Sequence, residues 1–175
     1  MDYCPAGSCR DVMECLDRTF SEEEASYVTY CTLRGLDYLT DHSVVHLDLK
    51  AANILIAEHQ AKITDFGVSD QIKQTIAPGA FVGTPLWMSP EMLTRSKVNH
   101  RSDIWSLGIT VIELLLGYPP HSQKSPYQVM MLIPKSDPPA LTNPPPSHAT
   151  EKHFSANAQD FVAKCLVKEN AKRPT

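Results

Sequence analysis

The chain has 175 residues, 42% hydrophobic and 21% charged, enough for one domain with a real core. A formal net charge of −4 excludes the basic footprint of a nucleic-acid-binding protein. Five cysteines (Cys4, Cys9, Cys15, Cys31, Cys165), none at CxxC spacing or near a histidine at zinc-ligand spacing, exclude a zinc module and imply a reducing, cytoplasmic setting. The first ten residues hold Pro5, Gly7 and Arg10 and no apolar run, so no signal peptide is expected. The longest apolar stretch, 104–116, carries Glu113 and is too short to span a membrane.

Ser8 with Asp11, ahead of Val12, Met13 and Leu16, predicts a short capped helix. Ser21 with Glu24 is a second capping box, and Ala25, Val28, Leu33, Leu36 and Leu39 continue at helical spacing to about Thr40. Val44-Val45, 53–56 and 62–64 are short β-branched segments with polar breaks, which predict strands and a hairpin turning near Glu58-His59. Residues 67–90 hold three glycines and three prolines and are expected to be irregular. Ser102-Asp103 is expected to cap a helix closed by Gly117, apolar on nearly all sides and therefore buried. Ser125-Pro126 opens another helix to about Ile133, and Ser155 caps a last one to about Val167. The proline-rich stretch between them reads as coil. The expected architecture is a mostly helical body carrying small β-hairpins, and the polar chemistry sits on the hairpins.

That chemistry is concentrated in HLDLKAAN, residues 46–53. Asp48 and Asn53 are five apart, and Asp65 follows in Asp65-Phe66-Gly67. A hairpin between them would bring Asn53 and Asp65 together. Carboxylate and amide oxygens suit Mg²⁺, which takes one or two protein ligands alongside phosphate and water. Asp48 is then left to meet a substrate hydroxyl, and Lys50 can stabilise charge on a transferring phosphoryl group.

HLDLKAAN resembles the catalytic loop H-R-D-L-x-x-x-N of eukaryotic protein kinases, and Asp65-Phe66-Gly67 resembles their D-F-G. Ser89-Pro90-Glu91 resembles A-P-E, 103–108 the start of the buried central helix, Lys172-Arg173-Pro174 the arginine segment near the domain end, and MDYCPAGS the hinge between lobes. GTPLWMSPE and DIWSLGI are most similar to sterile-twenty-like kinases of the germinal-centre group. The resemblance implies an α+β protein-kinase-like fold and a serine/threonine kinase using ATP and Mg²⁺ on a protein substrate.

It further implies Asp48 as catalytic base, with Lys50 and Thr84 completing the catalytic set, and Asn53 and Asp65 as Mg²⁺ ligands. Leu55 would pack under the adenine, Asp2 and Cys4 would offer hinge backbone groups, and Met1 would stand at the gatekeeper position. His46, Phe66, Gly67, Asp103 and the pair Glu91 and Arg173 would be structural.

Three departures accompany the resemblance. Leu47 stands where the family has an arginine that receives a loop phosphate, and Ala80 where the sterile-twenty-like phosphothreonine would fall, leaving Thr75 as the remaining loop threonine. Nothing in the chain corresponds to the glycine-rich loop, the V-A-I-K lysine or its glutamate partner. Residues 1–175 therefore read as a partial kinase domain, hinge and C-terminal lobe, truncated at both ends and lacking the N-terminal lobe as its partner. The other reading of such a chain is a non-catalytic, pseudokinase-like protein-binding module.

Overall fold

The computed structural model describes residues 4–58, 60–66, 70–71, 84–142 and 153–175. Two helices open this part of the chain, both started by the caps their sequences announce. In α1 (Cys9–Leu16) the Ser8 hydroxyl accepts from Asp11 N–H and the Asp11 side chain accepts from Ser8 N–H. In α2 (Glu22–Asp41) Ser21 and Glu24 repeat the arrangement, with three glutamates at the positive end of the helix dipole. The α2 stripe Ala25, Val28, Leu36 and Leu39 is buried, as its spacing requires.

After α2 the chain forms β1 (Val44–Val45), a 3₁₀ turn (Ala51–Asn53), β2 (Ile54–Ala57) and β3 (Gln60–Ile63). β2 and β3 are antiparallel, Ile54 facing Ile63 and Ala57 facing Gln60. β1 pairs antiparallel with β4 (Asp70–Gln71), a strand the sequence does not announce. Segment 84–93, whose start was expected to be irregular, holds a 3₁₀ turn (Pro85–Trp87) and the short helix α3 (Pro90–Leu93), each with proline in its first turn.

At the centre runs α4 (His100–Leu116), buried from Ser102 to Leu115. The expected start at Ser102-Asp103 is corrected. Asn99 is the cap, its side chain accepting from Arg101 N–H while Ser102 answers from the third helical position. Asp103 is released for another task, described below. Gly117 ends the helix at φ 88°, a left-handed conformation that suits glycine. α5 (Pro126–Leu132) and α6 (Ala156–Cys165) complete the body, followed by a 3₁₀ turn (Asn170–Lys172). α6 stops two residues short of the expected end.

α2 and α6 both pack on α4, and the hairpin lies against α2. Trp105, Leu107, Ile109, Ile112 and Leu114 form the middle of the core with Val28, Leu36, Val162 and Leu166. Burial at about 25 cal/mol per Å² of apolar surface is what holds such a helix inside. The result is the expected mostly helical body with small β-hairpins on one side.

Candidate active site

α4 sets the site from below. The Asp103 carboxylate, 2% exposed, accepts the backbone N–H of His46 through Oδ2 and of Leu47 through Oδ1, both at 2.8 Å. Burial pushes this carboxyl up to about 6, while the two backbone N–H groups pull the other way. The bonds fix the chain just before Asp48, where Leu47 sits at φ 69°. A leucine in that region costs about 1–2 kcal/mol, so the surrounding contacts must over-determine it. Leu47 itself is buried.

His46 is fully buried and both ring nitrogens are engaged. Nδ1 accepts the Asp48 N–H at 3.3 Å, so Nε2 carries the proton and donates to the Thr64 carbonyl at 2.9 Å. The ring meets Phe66 edge-on, centroids 5.1 Å apart. A ring fixed in this way ties the 46–48 segment to residues 64–66.

The Asp48 carboxylate is held on both oxygens. Oδ1 accepts the Thr84 hydroxyl at 2.7 Å. Oδ2 accepts Lys50 Nζ at 2.8 Å and Asn53 Nδ2 at 3.1 Å. Lys50 Nζ also donates to Thr84 Oγ1 at 2.7 Å, and Asn53 Nδ2 donates to the Asp48 carbonyl at 2.8 Å. Two residues of the same loop and one 36 positions away thus hold one carboxylate in one orientation.

The hairpin register places the oxygen ligands. Thr64 N–H donates to the Asn53 carbonyl at 3.0 Å, one step beyond the Ile54 and Ile63 pair. Asn53 and Asp65 therefore stand at the same end of the hairpin. Asn53 spends its amide N–H groups on Asp48, which leaves its amide oxygen as the atom a cation would take. Asp65 is exposed at φ 63°. Two oxygen donors at one end of a hairpin, one anionic, fit Mg²⁺ completed by phosphate and water.

On the far side of the hairpin, Ile56 N–H donates to the Gly7 carbonyl at 2.8 Å, and Ser8 bridges to Leu55. The turn from Cys4 to Gly7 thereby lies alongside half-buried Leu55. Burial pushes the Cys9 thiol up to about 12, so it is no nucleophile.

Glu91 and Arg173 meet 82 residues apart as a forked pair, Nη1 to Oε1 at 2.7 Å and Nη2 to Oε2 at 3.0 Å. Ser102 Oγ and Asn170 Nδ2 add bonds to Glu91 Oε1, and Arg173 also donates to the carbonyls of Val167 and Arg101. Its guanidinium lies 5.3 Å from the Trp105 ring centre. Burial pushes the Glu91 carboxyl up, but the bond and charge of Arg173, with bonds from its own backbone and Ser102, together outweigh it and leave it below its ordinary value.

Met1, Asp2, Gly67, Thr75 and Ala80 lie outside the described residues. One buried acid stands out in the sequence only as a charge within the apolar stretch 104–116. Glu113, on α4, accepts the Ala51 N–H at 3.0 Å and the Trp87 indole N–H at 2.9 Å. Its signal was available: Asp103, Ser106, Thr110 and Glu113 recur at i, i+3, i+7 and i+10, a polar stripe along an otherwise apolar helix.

The family described as "Protein kinase domain" matches residues 1–175. The chain belongs to the protein kinase domain family. Among curated relatives, serine/threonine-protein kinase pakF of Dictyostelium discoideum is 41% identical over 175 residues, covering 99% of this chain and 14% of the relative. From the same organism, serine/threonine-protein kinase dst1 is 41% identical over 177 residues, covering 100% and 23%. Serine/threonine-protein kinase pakH, also from that organism, is 43% identical over 170 residues, covering 97% and 32%. The chain thus spans between about a seventh and a third of the length of these relatives.

Proposed function

We propose that the protein containing this chain is a serine/threonine protein kinase of the sterile-twenty-like group, moving the γ-phosphoryl of ATP to a protein hydroxyl. The single observation behind this reading is the Asp48 carboxylate, oriented by Thr84, Lys50 and Asn53 together. Asp48 orients the acceptor hydroxyl and receives its proton. Lys50, already beside that carboxylate, offsets the negative charge that develops on the transferred group. Asn53 and Asp65 would hold Mg²⁺, which would supply positive charge to offset that of the phosphates. Leu55 and the Cys4 to Gly7 turn would form the adenine side; the resemblance adds Met1 and Asp2, which lie outside the described residues.

His46, Asp103, Glu91 and Arg173 act by holding the frame, with Phe66 edge-on against His46; the resemblance adds Gly67, which lies outside the described residues. A non-catalytic binding module gives no reason for keeping Asp48, Lys50, Asn53 and Asp65 together, and that reading is not favoured. A cytoplasmic location fits the cysteines: among the described residues, which include all five, there is no disulfide. No described helix is long and apolar enough to cross a membrane.

The test is phosphoryl transfer from labelled ATP to a protein acceptor by the full-length protein, with Asp48→Asn as control. Labelled phosphoserine and phosphothreonine are expected, with a loss of about 10²–10⁴-fold in the variant. Equal rates for the two proteins, or phosphotyrosine alone, overturn the reading.

A further inference from the structure

α2, α4 and α6 do not close completely on one another. Between them lies a cavity of about 520 Å³. Its floor is apolar: Ala25 and Leu33 of α2, Val111 and Leu115 of α4, Ala158 and Phe161 of α6. At about 3.6 residues per turn, Val111 and Leu115 face away from Glu113, the α4 acid that touches the catalytic turns. The cavity therefore lies across the helix from the site described above, and the kinase reading makes no use of it. Small-molecule pockets run from roughly 300 to 1,000 Å³, and this one falls within that range. A stable protein interface buries about 1,200–2,000 Å² instead, so a hollow between three helices suits one small molecule better than a protein face.

The charge around this cavity has one sign. Glu22 and Glu23 line it, and no described lining residue is a cation. Glu22 reaches from α2 to the start of α6, its Oε1 accepting Ser155 N–H at 2.7 Å. Glu23 is exposed and in no ion pair among the described residues. Their neighbour Glu24 is the acid that is neutralised, by Arg18 at 2.8 Å. The helix dipole favours acids at this end of α2 whatever lies outside, so the charges alone identify nothing. The residue beside them does. Tyr30, 56% exposed, also lines the cavity, two turns along the same face of α2. An aromatic face next to carboxylates is a setting that holds an organic ammonium. Arg34 donates to the Tyr30 hydroxyl at 3.2 Å but does not line the cavity.

We propose that the cavity between α2, α4 and α6 is a binding site for a single-chain cationic amphiphile. Its ammonium head meets Glu22, Glu23 and the Tyr30 ring, and its aliphatic chain lies on the floor formed by Ala25, Leu33, Val111 and Leu115. Chain burial supplies affinity at about 0.8 kcal/mol per CH₂, and the acids select the head.

Calorimetric titration of the full-length protein with dodecyltrimethylammonium, kept below its micelle-forming concentration, tests this. One saturable site per chain is expected, with affinity falling as salt is added. Dodecanoate, of similar chain and opposite charge, is expected to bind about tenfold more weakly. The double variant Glu22→Gln, Glu23→Gln removes the charge and keeps an acceptor for Ser155 N–H. It is expected to lose about tenfold in affinity for the ammonium probe. Glu23→Lys is expected to reverse the preference in favour of dodecanoate. Ser26 is exposed and lines the cavity, so Ser26→Trp fills it from the open side and is expected to abolish the site.

Equal affinity for the two probes, or binding unchanged in Ser26→Trp, overturns the proposal. If Ser26→Trp does not fold, the glutamine pair decides, and unchanged affinity there overturns it as well. Binding of an amphipathic leucine–lysine peptide without binding of dodecyltrimethylammonium would make this a protein-docking face and also overturn it. None of these readouts needs phosphoryl transfer. A protein that binds the probe as expected but moves no phosphate defeats the kinase reading and leaves this site standing.

Discussion

Leu47 shows how one residue can be legible in type and opaque in conformation. Its identity stands out in the sequence because the kinase resemblance leads one to expect arginine there. Its left-handed backbone, φ 69°, and its burial belong to the tertiary structure, since Asp103 pulls the His46 and Leu47 N–H groups to one carboxylate. Buried leucine offers no fork of donors to a phosphate. Phosphatase treatment of the full-length protein is therefore expected to leave its rate unchanged. A large loss traced to a phosphate on residues 68–83 would contradict this. Asp103 itself teaches the same lesson. Next to Ser102 it looks like a helix cap, but Asn99 already caps α4, and the carboxylate serves a loop 56 residues away.

Among the elements, α4 carries the greatest demand. Its run of apolar residues announced a buried helix, and hydrophobic burial alone determines that much. The polar stripe Asp103, Ser106, Thr110 and Glu113 only acquires meaning when the catalytic turns are laid against it. A second element-level constraint is the packing of α4 on α6. A Cβ at Gly108 would lie 2.7 Å from Cys165 Cβ and 3.0 Å from Leu166 Cδ2. A Cβ held on a helix backbone cannot swing away as a long side chain can. Gly108→Ala gains about 1 kcal/mol of helix propensity but overpacks this contact at about 1–3 kcal/mol. Net destabilisation is expected in urea unfolding of the full-length protein. A variant more stable than wild type would show that α6 gives way.

For the whole molecule, the long-range ionic links give stability a pH dependence with two opposing parts. Glu91 sits below its ordinary value because of Arg173, so its contribution is present above the unfolded carboxyl range and is lost as pH falls through the folded value. Asp103 is raised from 3.8 to about 6, so its penalty appears as pH rises from about 4 through about 6. Glu113 is raised by burial and acts in the same sense as Asp103.

The unfolding free energy followed against pH is expected to fall less steeply on the acid side in Glu91→Gln, the lowered carboxyls of Glu24 and Asp11 keeping their share. Arg173→Ala leaves Glu91 buried without its cation and is expected to cost about 3–5 kcal/mol at neutral pH. A loss under about 1 kcal/mol, the range of a surface pair, would show that the buried pair is not a structural tie.

The sequence by itself determined the helices with capping boxes, the buried central helix, the hairpin, and the residue types HLDLKAAN and Asp65-Phe66-Gly67. These rest on local rules, because a cap or a hydrophobic period is written within a few neighbouring residues. It also held the family resemblance that the match over residues 1–175 shows. The tertiary structure decided the rest: strand β4 against β1, the true start of α4, the left-handed Leu47, and the two hydrogen bonds that Glu113 accepts. Each depends on partners tens of residues away, brought together only when apolar helices close around α4 and leave buried polar groups to find one another.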